Sequence, residues 1–173
     1  MGVAAAAALL EGCAPLRIAL RMYPEPEDGE ADRVMRAFVE AVIPGAPRDD
    51  PNLVRAFFDP FYPFTRYRSW FVWDLDRRAR RLFGRPYPEL DLERRNRVVQ
   101  DGLSNGDGTT ARVYDGAIYL AQAAFYAGIY DDDRGCPLID FQGASGLLPL
   151  EQQSYPVPGR FLAVSATADG NPP

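Results

Sequence analysis

The sequence predicts an all-α protein: a small helical domain of about five helices followed by a long irregular C-terminal arm. Three observations predict it. Residues 109 to 130, TTARVYDGAIYLAQAAFYAGIY, hold the longest uninterrupted helical period in the chain. Four shorter stretches repeat that period between start and stop signals. The prolines and glycines, 16 and 15 in number, cluster outside these stretches, so ordered loops or arms are expected between and after the helices. Length agrees, since 173 residues suffice for one domain with a real core and are too few for two.

Residues 1 to 22 contain eight apolar residues from Val3 to Leu10, the size of an export-signal core and too short to span a bilayer. They read as the back half of an export signal whose basic start lies upstream, or as an apolar, Ala-rich helical segment that packs on something. Residues 23 to 130 are the expected helical domain. After the Pro-broken YPEPEDG linker, Glu30 to Ile43 is expected to be helical. Ala31, Val34, Met35, Phe38, Val39 and Val42 share one face, and Pro44-Gly45 stops it. A short helix follows, with Asp50 as N-cap, Pro51 at the first position and Leu53, Val54, Phe57 and Phe58 turned inward. Asp59 to Thr65, DPFYPFT, is aromatic and Pro-punctuated, hence a rigid connection.

The next helix spans about Tyr67 to Phe83. Phe71, Leu75, Ala79 and Leu82 form its expected core side, and Trp70, Trp73, Arg77 and Arg81 its other side. Trp73 and Arg77 are spaced i, i+4, which permits cation–π stacking. Trp and Arg are the types most enriched at interface hot spots. Asp91 caps a helix from Leu92 to Leu103. In the central helix, Thr109 or Thr110 is the expected cap. Val113, Tyr114, Ala117, Ile118, Leu120, Ala121, Ala124, Phe125, Gly128 and Ile129 form a broad core face. The opposite face carries Asp115, Tyr119, Gln122, Tyr126 and Tyr130, with Arg112 beside them. Tyrosines one and two turns apart are unusual on a solvated face. They form either a second core layer or a face that meets another subunit.

Residues 131 to 173 have no sustained period, yet carry Leu138, Ile139, Phe141, Leu147, Leu148, Leu150, Tyr155, Phe161 and Leu162. A disordered tail is poorer in such residues. The economical account is an extended arm lying on a partner or wrapped on its own domain. Asp131 to Asp133 read as a solvated acidic turn.

Composition excludes several chemistries. The chain has no His, which rules out His-based triads and His-ligated metal or haem within it. Its two cysteines, Cys13 and Cys136, cannot alone hold zinc or an iron–sulfur cluster. Ser104 to Gly108 lacks the alternating acidic ligands of a calcium loop. A net charge of −5 argues against nucleic-acid binding. Residues 66 to 97 nevertheless hold ten Arg against five acids, so the remainder carries about ten negative charges. No phosphate-binding, nucleophile-elbow or zincin motif is present. If a signal is removed along with Cys13, Cys136 is left as an odd cysteine, a buried thiol or a bond to another chain. These residues describe a subunit better than a free-standing enzyme.

ADRVMRAFVEAVIPGAP (Ala31 to Pro47), the amphipathic helices after it, the Ala/Tyr-rich helix entered near Tyr114, and GIYDDDRGCPLIDFQGA (Gly128 to Ala144) carry a resemblance. Over residues 31 to 144 the chain resembles the gluconate 2-dehydrogenase subunit 3 family, the small subunits of bacterial flavin-dependent sugar and polyol dehydrogenases. The resemblance implies a non-catalytic subunit without a cofactor of its own. Its partner would be a large FAD-containing subunit of the glucose-methanol-choline type, often with a cytochrome c subunit, so haem c or iron–sulfur centres would also lie in partners. It implies twin-arginine export, support of flavoprotein maturation, and a periplasmic place with membrane association only through the complex. The chain departs from the family in one respect: no twin arginine precedes Val3. The expected partner contacts are Trp70, Trp73, Arg77, Tyr119, Tyr126, Cys136, Leu138, Phe141, Tyr155 and Phe161. The reading from another class is a stand-alone helical enzyme or ligand-binding protein with an aromatic pocket near Trp70 and Tyr119.

Overall fold

A computed structural model describes residues 14–47, 50–105, 107–130 and 134–139. Among them are six α-helices and no strand: α1 Ala14–Ala19, α2 Asp28–Val42, α3 Arg55–Phe58, α4 Arg68–Phe83, α5 Leu92–Leu103 and α6 Gly108–Tyr126. Three short 3-10 turns, Pro63–Arg66, Tyr87–Glu89 and Cys136–Ile139, complete the set. The all-α class read from the sequence is the observed one. Helix α2 touches α4, α5 and α6, α5 lies between α4 and α6, and α1 packs on α6.

The centre is aromatic. Phe38 of α2, Phe57 of α3, Phe64 of the first 3-10 turn and Phe71 of α4 form a closed ring of edge-to-face pairs. Their centroids are 6.1, 5.2, 5.5 and 5.0 Å apart in order around it. Phe71 also meets Tyr114 of α6 at 4.8 Å. Such pairs add about 0.5–1.5 kcal/mol each beyond the area they bury. Four separate elements are thereby fixed to one point.

Chain punctuation is mostly as the sequence implies. Asp91 accepts a bond from the Arg94 amide at 2.9 Å and caps α5. Gly84, at φ +70°, ends α4 in the left-handed region that glycine adopts without strain. Three expectations are corrected. Asp107 caps α6, accepting from the Thr109 amide at 3.0 Å, while the Thr110 hydroxyl donates to its other oxygen. A carboxylate there also complements the helix dipole, which a threonine hydroxyl cannot. Helix α6 stops at Tyr126, because Gly128 at φ +61° turns the chain out, and Ile129 is exposed rather than buried. Residues 51–54 form turns, with the Asp50 carboxylate accepting from the Asn52 amide at 2.7 Å, and α3 begins only at Arg55.

Helix α4 departs most from an amphipathic pattern. Trp70 is 2% exposed and belongs to the core, although the sequence places it on the outer side. Leu82, expected inside, is exposed. The reason is tertiary: α2, α5 and two 3-10 turns pack around α4, so the row Trp70, Asp74, Arg78 is covered as fully as Phe71, Leu75, Ala79. A buried Asp–Arg pair on that row requires partners. The Asp74 carboxylate accepts from Arg77 Nη2 (2.8 Å), Arg78 Nε (2.5 Å) and the Tyr114 hydroxyl (3.0 Å). Arg78 Nη1 donates to the Asp101 carboxylate of α5 at 2.5 Å. Burial works to lower the Arg78 pKa, but the neighbouring Asp74 carboxylate, seconded by Tyr114, leaves it raised overall. Burial, then the same carboxylate, holds the Tyr114 phenol well above its ordinary range. Gly102 of α5 permits this arrangement, since a Cβ there would lie only 2.2 Å from Cε1 of the Tyr114 ring.

Candidate functional site

The loop before α4 is rigid for reasons visible in DPFYPFTRY. The Asp59 side chain accepts from the Phe61 amide at 2.9 Å, and the Tyr62 amide donates to the Asp59 carbonyl at 3.1 Å. Pro63 opens the 3-10 turn, and the Thr65 hydroxyl donates to the Tyr62 carbonyl at 3.0 Å. The Tyr130 hydroxyl donates to the Asp59 carboxylate at 3.1 Å, tying the loop to the turn that follows α6. This geometry turns Phe64 into the core and Phe61 outward, where it is 83% exposed against the edge of Tyr62.

The loop and α6 enclose a groove of about 510 Å³. One wall is Tyr62, Pro63 and Tyr67, with Phe64 at the base; the other is Arg112, Val113, Gly116, Tyr119 and Leu120 of α6. The α6 residues recur at helical spacing, so a single stripe lines the wall. Gly116 leaves this wall open, because a Cβ built there meets nothing within 4 Å. Tyr119, 75% exposed, stands as a ridge between the groove and a shallower hollow bounded by Asp115, Ile118 and Gln122. The expected tyrosine face of α6 is thus outward over Asp115, Tyr119 and Gln122. Tyr126 is half-buried, with its ring against Phe125 at 5.2 Å, and Tyr130 is fixed in the loop contact.

The other expected contact residues do not join this groove. Trp73 and Arg77 lie on a second, polar pocket, with the Arg77 guanidinium 5.1 Å from the Trp73 ring centroid as the i, i+4 spacing implies. Trp70 lines that pocket from inside the core, so it and Tyr119 belong to different cavities and form no common aromatic pocket. As a partner contact Trp70 is corrected, because its side chain is already covered. Cys136 is corrected for the same reason. It is 1% exposed where the turn Cys136–Ile139 packs on α6, out of reach of an intermolecular disulfide in this conformation. Leu138 beside it is 62% exposed and Ile139 is also exposed. Phe141, Tyr155, Phe161 and Asp131 to Asp133 lie outside the described residues. Residues 14–19, read with the apolar N-terminal segment, form α1. The Ala14 amide donates to Asp107 at 3.2 Å, and Ile18 packs on the core.

Sequence reasoning missed Phe61, Tyr62, Tyr67 and Gly116 as surface-forming residues. A signal existed: seven consecutive residues with three aromatic rings and two prolines exceed what a mere connection needs. Among the described residues no group of three or more His, Cys, Asp or Glu could hold a metal ion, and no helix is long and apolar enough to cross a membrane. Compared with protein-family models, curated proteins and solved structures, the chain matches none.

Proposed function

We propose that this chain is a non-catalytic small subunit that clasps a larger FAD-containing dehydrogenase of the glucose-methanol-choline type and supports its maturation and export to the periplasm. The flavin and any haem or iron–sulfur centre would belong to the partners, and so would the substrate site. The observation that carries the reading is the aromatic groove with its exposed rim. Phe61 and Tyr119 leave large rings in water beside a preformed apolar trough. Exposed apolar surface rimmed by polar groups marks interaction sites, and tyrosine is enriched in them. The residue pattern of 31 to 144 supplies the kind of partner. Leu138 and Ile139, exposed at the other end of α6, extend the surface open to contact.

A second reading rests on the same groove, whose volume falls within the ~300–1,000 Å³ of small-molecule sites. One experiment separates the two. The chain is isolated from its native host and passed over size-exclusion with a visible absorbance scan. Co-elution with a larger protein showing flavin bands supports the subunit. A colourless, heat-stable monomer overturns it and turns attention to a ligand in the groove.

A further inference from the structure

On the far flank of the first turn of α6, Thr110 borders a polar pocket of about 190 Å³. Its wall carries four guanidinium groups, Arg17 of α1 and Arg77, Arg78 and Arg81 of α4, with the Trp73 ring and Asn105. Shared neighbours place these groups side by side. Arg77 and Arg78 both hold Asp74, Arg78 and Arg81 both hold Asp101 (2.5 and 2.6 Å), and Arg17 and Arg77 each stack 5.1 Å from the Trp73 centroid.

The hydrogen-bonding groups of this pocket are unequal in kind. Among the described residues Asp74 is its one lining carboxylate, and both of its oxygens are engaged. The Asn105 side-chain oxygen accepts from the Asp107 amide at 3.0 Å, which leaves the Asn105 NH2 group as donor. Among the described residues, Arg77 and Arg81 each make polar contacts through Nη2 alone. Arg77 Nε is buried without an acceptor, so the 40% exposure of its side chain lies elsewhere along it. Arg81 is 54% exposed. Among the described residues the acceptors at the wall are thus already engaged, whereas Arg77, Arg81 and Asn105, which line it, keep further N–H groups. Among the described residues, three α4 arginines share two carboxylates, Asp74 and Asp101, so positive charge exceeds negative there. Guanidinium forks match the paired oxygens of phosphate and carboxylate groups.

We infer that this pocket is a binding site for a small oxyanion, a phosphate or carboxylate group held by Arg77, Arg81 and the Asn105 amide beside Trp73. The inference does not depend on the subunit reading and fails separately from it.

The test is calorimetric titration of the full chain with inorganic phosphate and, in a second arm, acetate, both at ionic strength fixed with chloride, while tryptophan fluorescence follows Trp73. A saturable response with one site per chain is expected, and the arm that saturates at lower concentration identifies the oxyanion. Arg81→Gln and Arg77→Gln should weaken it ~10-fold or more, whereas Arg85→Gln, outside the pocket, should leave it unchanged. If Arg77→Gln disturbs the fold, Arg81→Gln at an exposed position decides alone. An unsaturated response that chloride reproduces, or an unaltered response in Arg81→Gln, overturns the site.

Discussion

The two flanks of α6 solve opposite problems. On one, charged groups are buried and held by hydrogen bonds: Asp74 serves Arg77, Arg78 and Tyr114, and Arg78 reaches on to Asp101. On the other, aromatic rings are exposed, Phe61 at 83% and Tyr119 at 75%. The first flank fixes the fold, because removing one member strands another away from water. The second adds little to the fold, because its outward rings touch little. Stability and the proposed docking surface thereby lie on opposite flanks of one helix, and substitutions should separate them too.

The largest effect belongs to the charged flank. Asp74→Ala leaves Arg78 buried with one carboxylate in place of two and removes the Tyr114 acceptor. A loss of ~3–5 kcal/mol is expected in urea unfolding. Phe71→Ala, at the junction of three ring contacts, should cost a similar ~3–5 kcal/mol by leaving a cavity. If Asp74→Ala were near neutral, the charged flank would not be what holds α4, α5 and α6 together.

The same flank predicts a pH dependence. Burial raises the folded-state pKa of Tyr114, and also that of Tyr87, above the unfolded value near 10. Above that value the unfolded chain releases protons that the folded chain retains. The stability these phenols contribute is therefore fully present below pH ~10 and is lost as pH rises towards their folded pKa values. Thermal midpoints should fall steeply above pH ~10, and less steeply in Tyr114→Phe. Asp107→Ala removes the α6 cap and the tie to Ala14 and should cost ~1 kcal/mol in chemical unfolding. Smallest is the aromatic flank: Tyr119→Ala should stay within ~0.5 kcal/mol of the parent.

The legibility of the chain divides along the same line. The sequence period located α2, α4, α5 and α6 to within a few residues, since each buries a stripe and ends at Gly, Pro or an acidic cap. It misassigned Trp70 because a helical wheel assumes one covered side, and α4 is covered on two. The Asp74–Arg78–Tyr114 network was illegible because its members lie 40 residues apart and meet only through the packing of α4 on α6. Tyr119 was legible as lying opposite the core face of α6, but whether that side was a second core layer or an outer face stayed open until its exposure showed it outward. Its groove was not, because the facing wall comes from a loop whose direction is set by Asp59, Pro63 and Tyr130 together.

The central claim is that the aromatic groove receives a flavoprotein partner. Gly116→Trp tests it directly, since a Cβ there has open space within 4 Å and Gly116 lines the groove wall, while leaving glycine favours the helix. Parent and variant are isolated in parallel from the native host and passed over size-exclusion with absorbance and circular dichroism. The account predicts that the parent elutes with a flavin-bearing protein and that the variant elutes alone with an unchanged helical spectrum. Equal recovery of the flavoprotein with both chains, or of none with the parent, would contradict it.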